Sequence, residues 1–283
     1  MTSEDAGVGQ IETSQLQQGA AIDAHLGLGA TAVHYGELSF KDIVSEFPTI
    51  VVVRQGIKRV TRYNMRLSIE AGQAVMVPSG QAFDLVDSPV DGRFVATMLV
   101  PSPRIIDEVA TQFPDAQEVK SATPIRIVEQ ELLQAFDRAF EAVTDPNYLP
   151  RGVVENREQE VLVWLAHKGF RFSGDGKLDL AQKLRRIVLQ DLGRDWKAPE
   201  VAEMVSMSEA TFRRRLRDQG ISFQQLLIDV RMTRALALLQ TTNLSVGVIA
   251  LDVGYDSPSR FTARFKQRFA LAPSAIRAKG KDH

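Results

Sequence analysis

The chain has 283 residues, of which 44% are hydrophobic, and it contains no cysteine. This length and composition favour two globular domains with separate cores. The lack of cysteine excludes disulfides, thiolate metal sites and a cysteine nucleophile. No apolar run approaches the roughly 20 residues of a membrane helix, and the start has no signal-peptide pattern, so we expect a cytoplasmic protein without membrane contact and with a disordered segment over residues 1–20.

Charge is distributed unevenly along the chain. Residues 1–176 hold 15 Lys and Arg against 24 Asp and Glu, whereas residues 177–283 hold 19 against 11. The net charges are therefore −9 and +8. This asymmetry is typical of a polyanion-binding module joined to a different domain, although two separately solubilised domains would also produce it.

Residues 31–100 have the pattern of a small β-barrel or sandwich. Short strand-like runs alternate with glycine and proline turn signals at Gly56, Gly72, Pro78 and Gly92. The runs are AVHYGELSF, TIVVVRQ, IKRVTRY, AVMVP and RFVATMLV.

After Pro101 the apolar period changes to three and four residues, which indicates amphipathic helices. The segment 125–168 contains two such helices separated by DPNYLPRG, and it predicts a helical hairpin. We expect this hairpin to form a homodimer through Leu133, Phe136 and Phe140.

The stretch RFSGDGK supplies a turn-rich boundary, and every later segment has helical periodicity. The fold class is therefore α+β. We expect a barrel domain that senses a signal and dimerises over residues 21–172, a linker at 173–177 and an all-α domain over 178–283.

The α-helical domain contains an internal repeat of a two-helix unit. Ala202 and Phe212 of the first copy correspond to Ala250 and Phe261 of the second. Each copy has a tight turn followed by a serine, Ser208 or Ser257, in an N-cap position. This arrangement predicts two helix-turn-helix units, each inserting its second helix into the major groove of double-stranded DNA.

Helical geometry separates the buried and exposed faces of the two second helices. Phe212 and Leu216 define one buried face, and the phenylalanines at 261, 265 and 269 define the other. Arginine suits guanine edges because its planar fork meets two acceptors together. We expect base contacts from Ala210, Arg213, Arg214, Ser259, Arg260 and Arg264. We expect phosphate contacts from Ser208, Arg215, Arg217, Ser257, Lys266 and Arg268.

Residues 178–277 resemble the DNA-binding domain of the AraC/XylS family of bacterial transcription regulators. The matching positions are Ala202, Met207, Ser208, Arg214, Gly220, Arg231, Ala235, Leu238, Leu239, Ile249, Ala250, Gly254, Tyr255, Phe261, Phe265, Lys266, Phe269, Pro273 and Arg277. The resemblance implies two helix-turn-helix units joined by a central helix, promoter binding, and activation through contact with RNA polymerase.

Three positions depart from the family pattern. Ser206 and Ala270 stand where the family often has glycine, and Ala263 replaces the usual arginine of the second recognition helix. The last change implies that the first unit carries most of the sequence choice.

The N-terminal half resembles the cupin-like barrel and dimerisation helices that the family often carries. Only His25, His34 and His167 lie there, without a His-x-His motif, and Phe83 occupies a position where histidine is common, so we expect no metal. The barrel interior either holds a small-molecule effector or is filled by side chains, and a regulatory protein is a third possibility. The segment QGIKRVTRYNMR carries four basic residues: Lys58, Arg59, Arg62 and Arg66. They either surround the mouth of a pocket and attract a carboxylate, or they are ordinary solvent-facing residues.

Three functional classes follow from these patterns. The leading one is a homodimeric transcription activator that needs no cofactor. An enzyme built on the barrel would require metal ligands or a base–nucleophile set, and neither is evident. A non-specific architectural DNA-binding protein would need only positive charge.

Overall fold

The structure of the protein is a computed structural model that describes residues 27–126, 129–145, 149–174 and 179–279. The predicted disordered segment 1–20 and most of the predicted linker at 173–177 lie outside the described residues. His25 does as well.

The N-terminal part of the described chain consists of antiparallel strands followed by helices. Its first eight strands are β1 (Leu28–His34), β2 (Leu38–Val44), β3 (Thr49–Gln55), β4 (Ile57–Arg62), β5 (Met65–Glu70), β6 (Ala74–Val77), β7 (Ala82–Ser88) and β8 (Phe94–Val100). Two short strands, β9 (Gln117–Glu118) and β10 (Thr123–Ile125), and a third, β11 (Phe170–Arg171), come later in the chain. The run AVHYGELSF, predicted as one strand, is divided between β1 and β2, which belong to different sheets.

Nine of these strands form two sheets that face each other, whereas β9 and β11 pair in parallel as a separate two-stranded sheet. Of the two facing sheets, one has the order β1-β8-β3-β6-β10, and the other has the order β2-β7-β4-β5. The apolar layer between the two sheets includes Val53 and Phe94 from the first sheet and Val60 and Phe83 from the second. Among the described residues no strand pairing joins the two sheets, so the predicted barrel is observed as two open, facing sheets.

The five-stranded sheet is buried on both faces. Val51 and Val53 of β3 face the second sheet, whereas Ile50 and Val52 belong to a cluster with the helices on the outer side. Successive side chains of a strand point to opposite faces, so a doubly covered strand needs a continuous apolar run. This burial explains the sequence TIVVVRQ.

Three helices cover the outer face of this sheet: α1 (Pro103–Gln112), α2 (Gln130–Thr144) and α3 (Arg151–His167). Helices α2 and α3 confirm the two helices predicted within 125–168, and they pack against each other. Their apolar residues contact the sheet of the same chain, and Leu162, Leu165 and Phe136 are almost fully buried there.

The rest of the described chain is helical, as the sequence predicted. It contains α4 (Leu180–Gln190), α5 (Ala198–Met204), α6 (Glu209–Asp218), α7 (Phe223–Thr241), α8 (Val246–Asp252), α9 (Pro258–Phe269) and α10 (Pro273–Lys279). We call α5 with α6 the first helix pair and α8 with α9 the second helix pair. The N-terminal end of α7 packs with the first pair, and its C-terminal end packs with the second.

The two parts of the chain are in direct contact. Gln182 of α4 donates hydrogen bonds to the carbonyl oxygen and the hydroxyl of Ser79, at 3.0 and 3.1 Å. Between β2 and β3, the carboxyl group of Glu46 is buried near Arg185 of α4 and Arg234 of α7. Burial raises the pKa of Glu46 to about 8, and the two arginines oppose this increase.

Within the described ranges, no helix combines the length and apolar character that a bilayer span requires. Across the same ranges no group of three or more histidine and acidic side chains is arranged to hold a metal ion.

The turns of the two helix pairs generate a stability prediction. Ser206 adopts φ 55° and Gly254, the equivalent residue of the second pair, adopts φ 80°. Ser206→Gly should raise the free energy of unfolding by about 1 kcal/mol, because glycine takes this conformation without a Cβ penalty. The reciprocal Gly254→Ser should destabilise, since a Cβ there would clash with the carbonyl oxygen of Leu192. Urea denaturation of both variants checks the pair, and a loss of stability in Ser206→Gly would contradict it.

The buried Glu46 generates a pH prediction. Between about pH 4.5 and 8 the unfolded chain has lost the Glu46 proton while the folded chain still holds it. The contribution of Glu46 to the free energy of unfolding is therefore largest below pH 4.5, and it decreases as the pH rises toward 8. Urea denaturation at several pH values should show a smaller decline in Glu46→Gln than in wild type. Glu70→Gln, at an exposed strand end, is the control and should follow wild type.

Candidate nucleic-acid interface

The first helix pair holds α6 through a capped turn and a buried apolar face. Ser206 reverses the chain with a left-handed backbone, and the Ser208 hydroxyl accepts a hydrogen bond from the Thr211 N–H at 3.3 Å. Phe212 and Leu216 are fully buried against the neighbouring helices. The predicted N-cap and the predicted buried face of α6 are both confirmed.

The opposite face of α6 carries four exposed arginines. The side chains of Arg214, Arg215 and Arg217 make no hydrogen bond or ion pair with another described residue. Arg213 is also exposed, but its guanidinium pairs with Glu209 one turn earlier, with a nitrogen–oxygen distance of 2.6 Å. The result is a positively charged surface aligned along one short helix.

Glu209 is a participant that the sequence argument missed. It lies four residues before Arg213, the spacing at which an acid and a base meet on one helical face. The pairing limits the directions that the Arg213 guanidinium can take, and the i, i+4 spacing alone was enough to identify it.

The second helix pair repeats the same construction. Gly254 forms the turn, and Ser257 caps α9 by accepting a hydrogen bond from the Arg260 N–H at 3.4 Å. Phe261 and Phe265 are fully buried, and their ring centroids lie 5.6 Å apart. The exposed residues of α9 include the predicted contacts Ser259, Arg260, Arg264 and Lys266, together with Ala263 and Gln267.

Two arginines near the second pair have their guanidinium groups oriented by neighbours. Arg264 donates to the Gln267 side chain at 2.9 Å, and it also hydrogen-bonds Tyr255. Arg231 of α7 donates to the Arg194 carbonyl at 3.0 Å and lies over the Tyr255 ring. Glycine is required at this turn because Gly254 adopts φ 80° and because a Cβ there would clash with the Leu192 carbonyl oxygen as well as with the Arg231 guanidinium.

The structure corrects the assignment of Arg268 as a phosphate contact. Its side chain is 13% exposed and pairs with Asp229 of α7 at 3.1 Å. The same guanidinium donates to the carbonyl oxygens of Lys41, at 2.8 Å, and of Asp42, both in β2. A strand from the N-terminal domain covers this flank of α9, which the helical periodicity of α9 alone does not reveal.

The structure also corrects one of the three predicted dimer contacts, Phe136. Phe136 is 2% exposed inside the cluster that α2 forms with the five-stranded sheet. Leu133 and Phe140 are half-buried against the same cluster. Phe136 therefore serves the core of its own chain, whereas a dimer contact of the partly exposed Leu133 and Phe140 stays a prediction.

Lys58, one of the basic residues considered for a pocket mouth, belongs to the buried interior. Lys58 is buried and bonds Asp87 at 2.5 Å, and His34 lies 3.5 Å from the same carboxylate. Although burial opposes it, Lys58 and His34 hold the pKa of Asp87 below its ordinary value. His34 also stacks on Phe94 with ring centroids 4.6 Å apart, so it is a core residue.

Comparison with known proteins bears on the helical part of the chain. The family model of the helix-turn-helix domain matches residues 201–279. The transcriptional regulator SirC of Salmonella typhimurium (strain SL1344) is 35% identical over 97 residues, which cover 34% of this chain and 33% of SirC. The urease operon transcriptional activator of Escherichia coli is 34% identical over 112 residues, 40% of this chain and 37% of that protein. The chain thus matches about a third of the length of these curated relatives.

Similarity to a solved structure extends over nearly the whole fold. The crystal structure of ToxT from Vibrio cholerae strain SCE256 with a bound unsaturated fatty acid has a TM-score of 0.67. The two share 17% sequence identity, and the match covers 90% of this chain and 96% of ToxT. At this identity the likeness establishes a common fold.

The family-model match and the exposed arginine surface define a helix-turn-helix domain in the C-terminal part of the chain, and the relatives that share it are named as transcription regulators. Residues 201–279 therefore share the helix-turn-helix domain of these regulators, and this match supports the resemblance of the C-terminal domain to that of the AraC/XylS family.

Proposed function

We propose that the protein is a homodimeric, sequence-specific transcription activator that reads promoter DNA with two helix-turn-helix units. The exposed arginine face of α6, opposite the buried Phe212 and Leu216, is the observation that carries this proposal. A recognition helix needs one face anchored in the domain and one free to enter the major groove.

The central helix supports the use of both helix pairs on one DNA site. Helix α7 has 19 residues, which span roughly 28 Å at 1.5 Å per residue. Successive major grooves on one face of B-DNA lie about 34 Å apart. A rod of this length, buried at both ends, can hold two recognition helices near that separation.

The two units have unequal shares in sequence recognition. In the first, Ala210, Arg213 and Arg214 meet base edges, while Ser208, Arg215 and Arg217 meet phosphates. In the second, the base contacts are Ser259, Arg260 and Arg264, and the phosphate contacts are Ser257 and Lys266. Ala263 is exposed on α9 without a polar group, so the first unit supplies most of the specificity.

We infer that the protein activates transcription through RNA polymerase in the cytoplasm, and the names of its relatives support an activating role. Several relatives are activators by name, including the virulence regulon activator VirF of Shigella flexneri and the urease operon activator. Activation of transcription by this protein would require promoter-bound dimers that contact RNA polymerase.

The domain of residues 21–172, with its two cupin-like sheets, receives the signal, and residues 178–283, beyond a short linker at 173–177, bind DNA. The ToxT structure contains an unsaturated fatty acid, which favours a small-molecule effector over a regulatory protein as the signal here as well.

Dimerisation is assigned to the outer side of α3. The outer side of α3 carries a stripe of residues spaced three and four apart: Val153, Asn156, Glu160, Val163 and His167. Most of them line an open groove of about 500 Å³. Val153 and Val163 are the apolar members of this stripe, so a second helix would pack on these two valines between polar neighbours.

The DNA-binding assignment predicts different consequences for two neighbouring arginines. Arg214→Ala should relax discrimination at one base position, costing about 1–3 kcal/mol on the cognate site alone. Arg217→Ala should weaken binding to all sequences similarly and lower the salt slope by about one. Fluorescence anisotropy with the protein's own upstream DNA and with random duplex, over a salt series, measures both.

Two further outcomes of that experiment decide between functional classes. Equal effects of both variants on target and random DNA would contradict the assignment. If Arg213→Lys and Arg214→Lys preserve full discrimination, positive charge alone is sufficient, and the protein is an architectural DNA-binding protein.

The α3 assignment predicts a monomer when its stripe is charged. Val153→Asp should shift the wild-type dimer to monomer in sedimentation velocity, because Val153 is 37% exposed and a carboxylate there opposes apolar packing. Gln134→Asp, on the exposed side of α2, adds the same charge elsewhere and should leave the dimer intact. An unchanged dimer in Val153→Asp would refute the α3 interface.

A further inference from the structure

One segment of the N-terminal domain contacts both halves of the DNA-binding domain. Leu38 and Phe40 of β2 are buried in the apolar cluster of the second helix pair, where Phe40 meets Phe269 edge-on at 6.1 Å. Phe47, seven residues later, packs against the cluster of the first helix pair. We call residues 38–47 the docking segment.

Arg268 connects the docking segment to the second recognition helix. It lies in the last turn of α9, and its guanidinium donates to two successive carbonyl oxygens of β2, those of Lys41 and Asp42. Its Nε faces the Asp229 carboxylate of α7 at 3.1 Å. One side chain therefore joins the recognition helix, the central helix and the N-terminal domain.

The local shape of β2 produces the two acceptors. The pairing of β2 with β7 shifts register between Phe40 and Ile43, and Asp42 adopts φ 52°. The Asp42 N–H donates to the Asp84 carboxylate at 2.9 Å, which anchors the irregular residue to β7. A bulge leaves backbone groups outside the sheet ladder and redirects them, and here two carbonyls are directed at one guanidinium.

The chemistry of the contact requires arginine. A planar guanidinium presents several donors in a fixed fork, so it can satisfy two carbonyls and a carboxylate together, whereas a lysine ammonium is a point charge. Asp229 is 12% exposed and also accepts from the Gln225 side chain at 3.0 Å, so its carboxylate is itself held in place.

We propose that Arg268 is a positioning residue for DNA recognition. It sets the placement of α9 relative to α6 by binding the bulge of β2, so the N-terminal domain determines whether both recognition helices fit one DNA site. This inference rests on the proposed function, since it assumes that both helix pairs bind DNA.

The test compares Arg268 with a neighbour of equal charge on the same helix. Lys266 is exposed, so Lys266→Ala should weaken binding to all DNA and reduce the salt slope by about one. Arg268→Ala in the full-length protein should instead leave unchanged the affinity for DNA that carries only the half-site of the first helix pair. The affinity for DNA that carries the half-sites of both helix pairs should change by about tenfold. Arg268→Lys should behave like Arg268→Ala, because it restores the charge but not the fork.

Variants of Asp42 in β2 test whether Arg268 acts through the docking segment or by contacting DNA directly. Asp42→Val disfavours the left-handed backbone, whereas Asp42→Gly keeps it. Asp42→Val should reproduce the Arg268→Ala result, and the two changes combined should have no larger effect than either alone. Asp42→Gly should bind like wild type.

Two results would overturn the proposal. In the first, Arg268→Ala weakens binding to all DNA as Lys266→Ala does, and Arg268→Lys restores the affinity. In the second, the effects of Asp42→Val and Arg268→Ala on DNA affinity are additive. Hydrogen exchange without DNA separates this proposal from the proposed function. Faster exchange of residues 38–47 in Arg268→Ala but not in Lys266→Ala demonstrates the interdomain contact, even if the protein shows no preference for its upstream DNA. Unchanged exchange in both variants would refute the contact itself.

Discussion

The burial of both ends of α7 is the constraint on which the DNA-binding domain depends. Phe223 and Leu226 anchor one end among the residues of the first helix pair, and Ala235 and Leu239 anchor the other among those of the second. Interiors of this kind are close-packed, so neither pair can slide along α7 without opening a cavity, and removing a buried leucine side chain costs about 2–5 kcal/mol. The separation of the two recognition helices is consequently a property of one packed rod.

Much of this arrangement could be predicted from the sequence, because it depends on short-range regularities. The phenylalanine spacing on α9, the serine caps and the exposed arginines of α6 all follow from the geometry of a single helix and its preceding turn. The same holds for α2 and α3 as a hairpin. Each feature involves residues that are close in the chain, so the periodic pattern contains the information that determines them.

The features that sequence reasoning placed wrongly depend on distant contacts. Periodicity identifies which residues share a face, but not which other element covers that face. Phe136 was therefore assigned to a partner subunit, although a sheet of its own chain covers it, and Arg268 was assigned to DNA, although β2 occupies its guanidinium. The same reason explains why the strands could be predicted but not the open edges between the two sheets, since closure depends on pairings between remote strands.

The two sheets also differ in how freely their surfaces can change. Helices cover the outer face of the five-stranded sheet, so nearly every side chain of β3 has neighbours above and below. Much of the β4–β5 hairpin remains open to solvent, with Arg59, Arg66, Ser68 and Glu70 exposed. Relatives could vary these outward positions in size and charge while both apolar layers stay intact, which makes the hairpin the part of the domain where sequences can diverge at least structural cost.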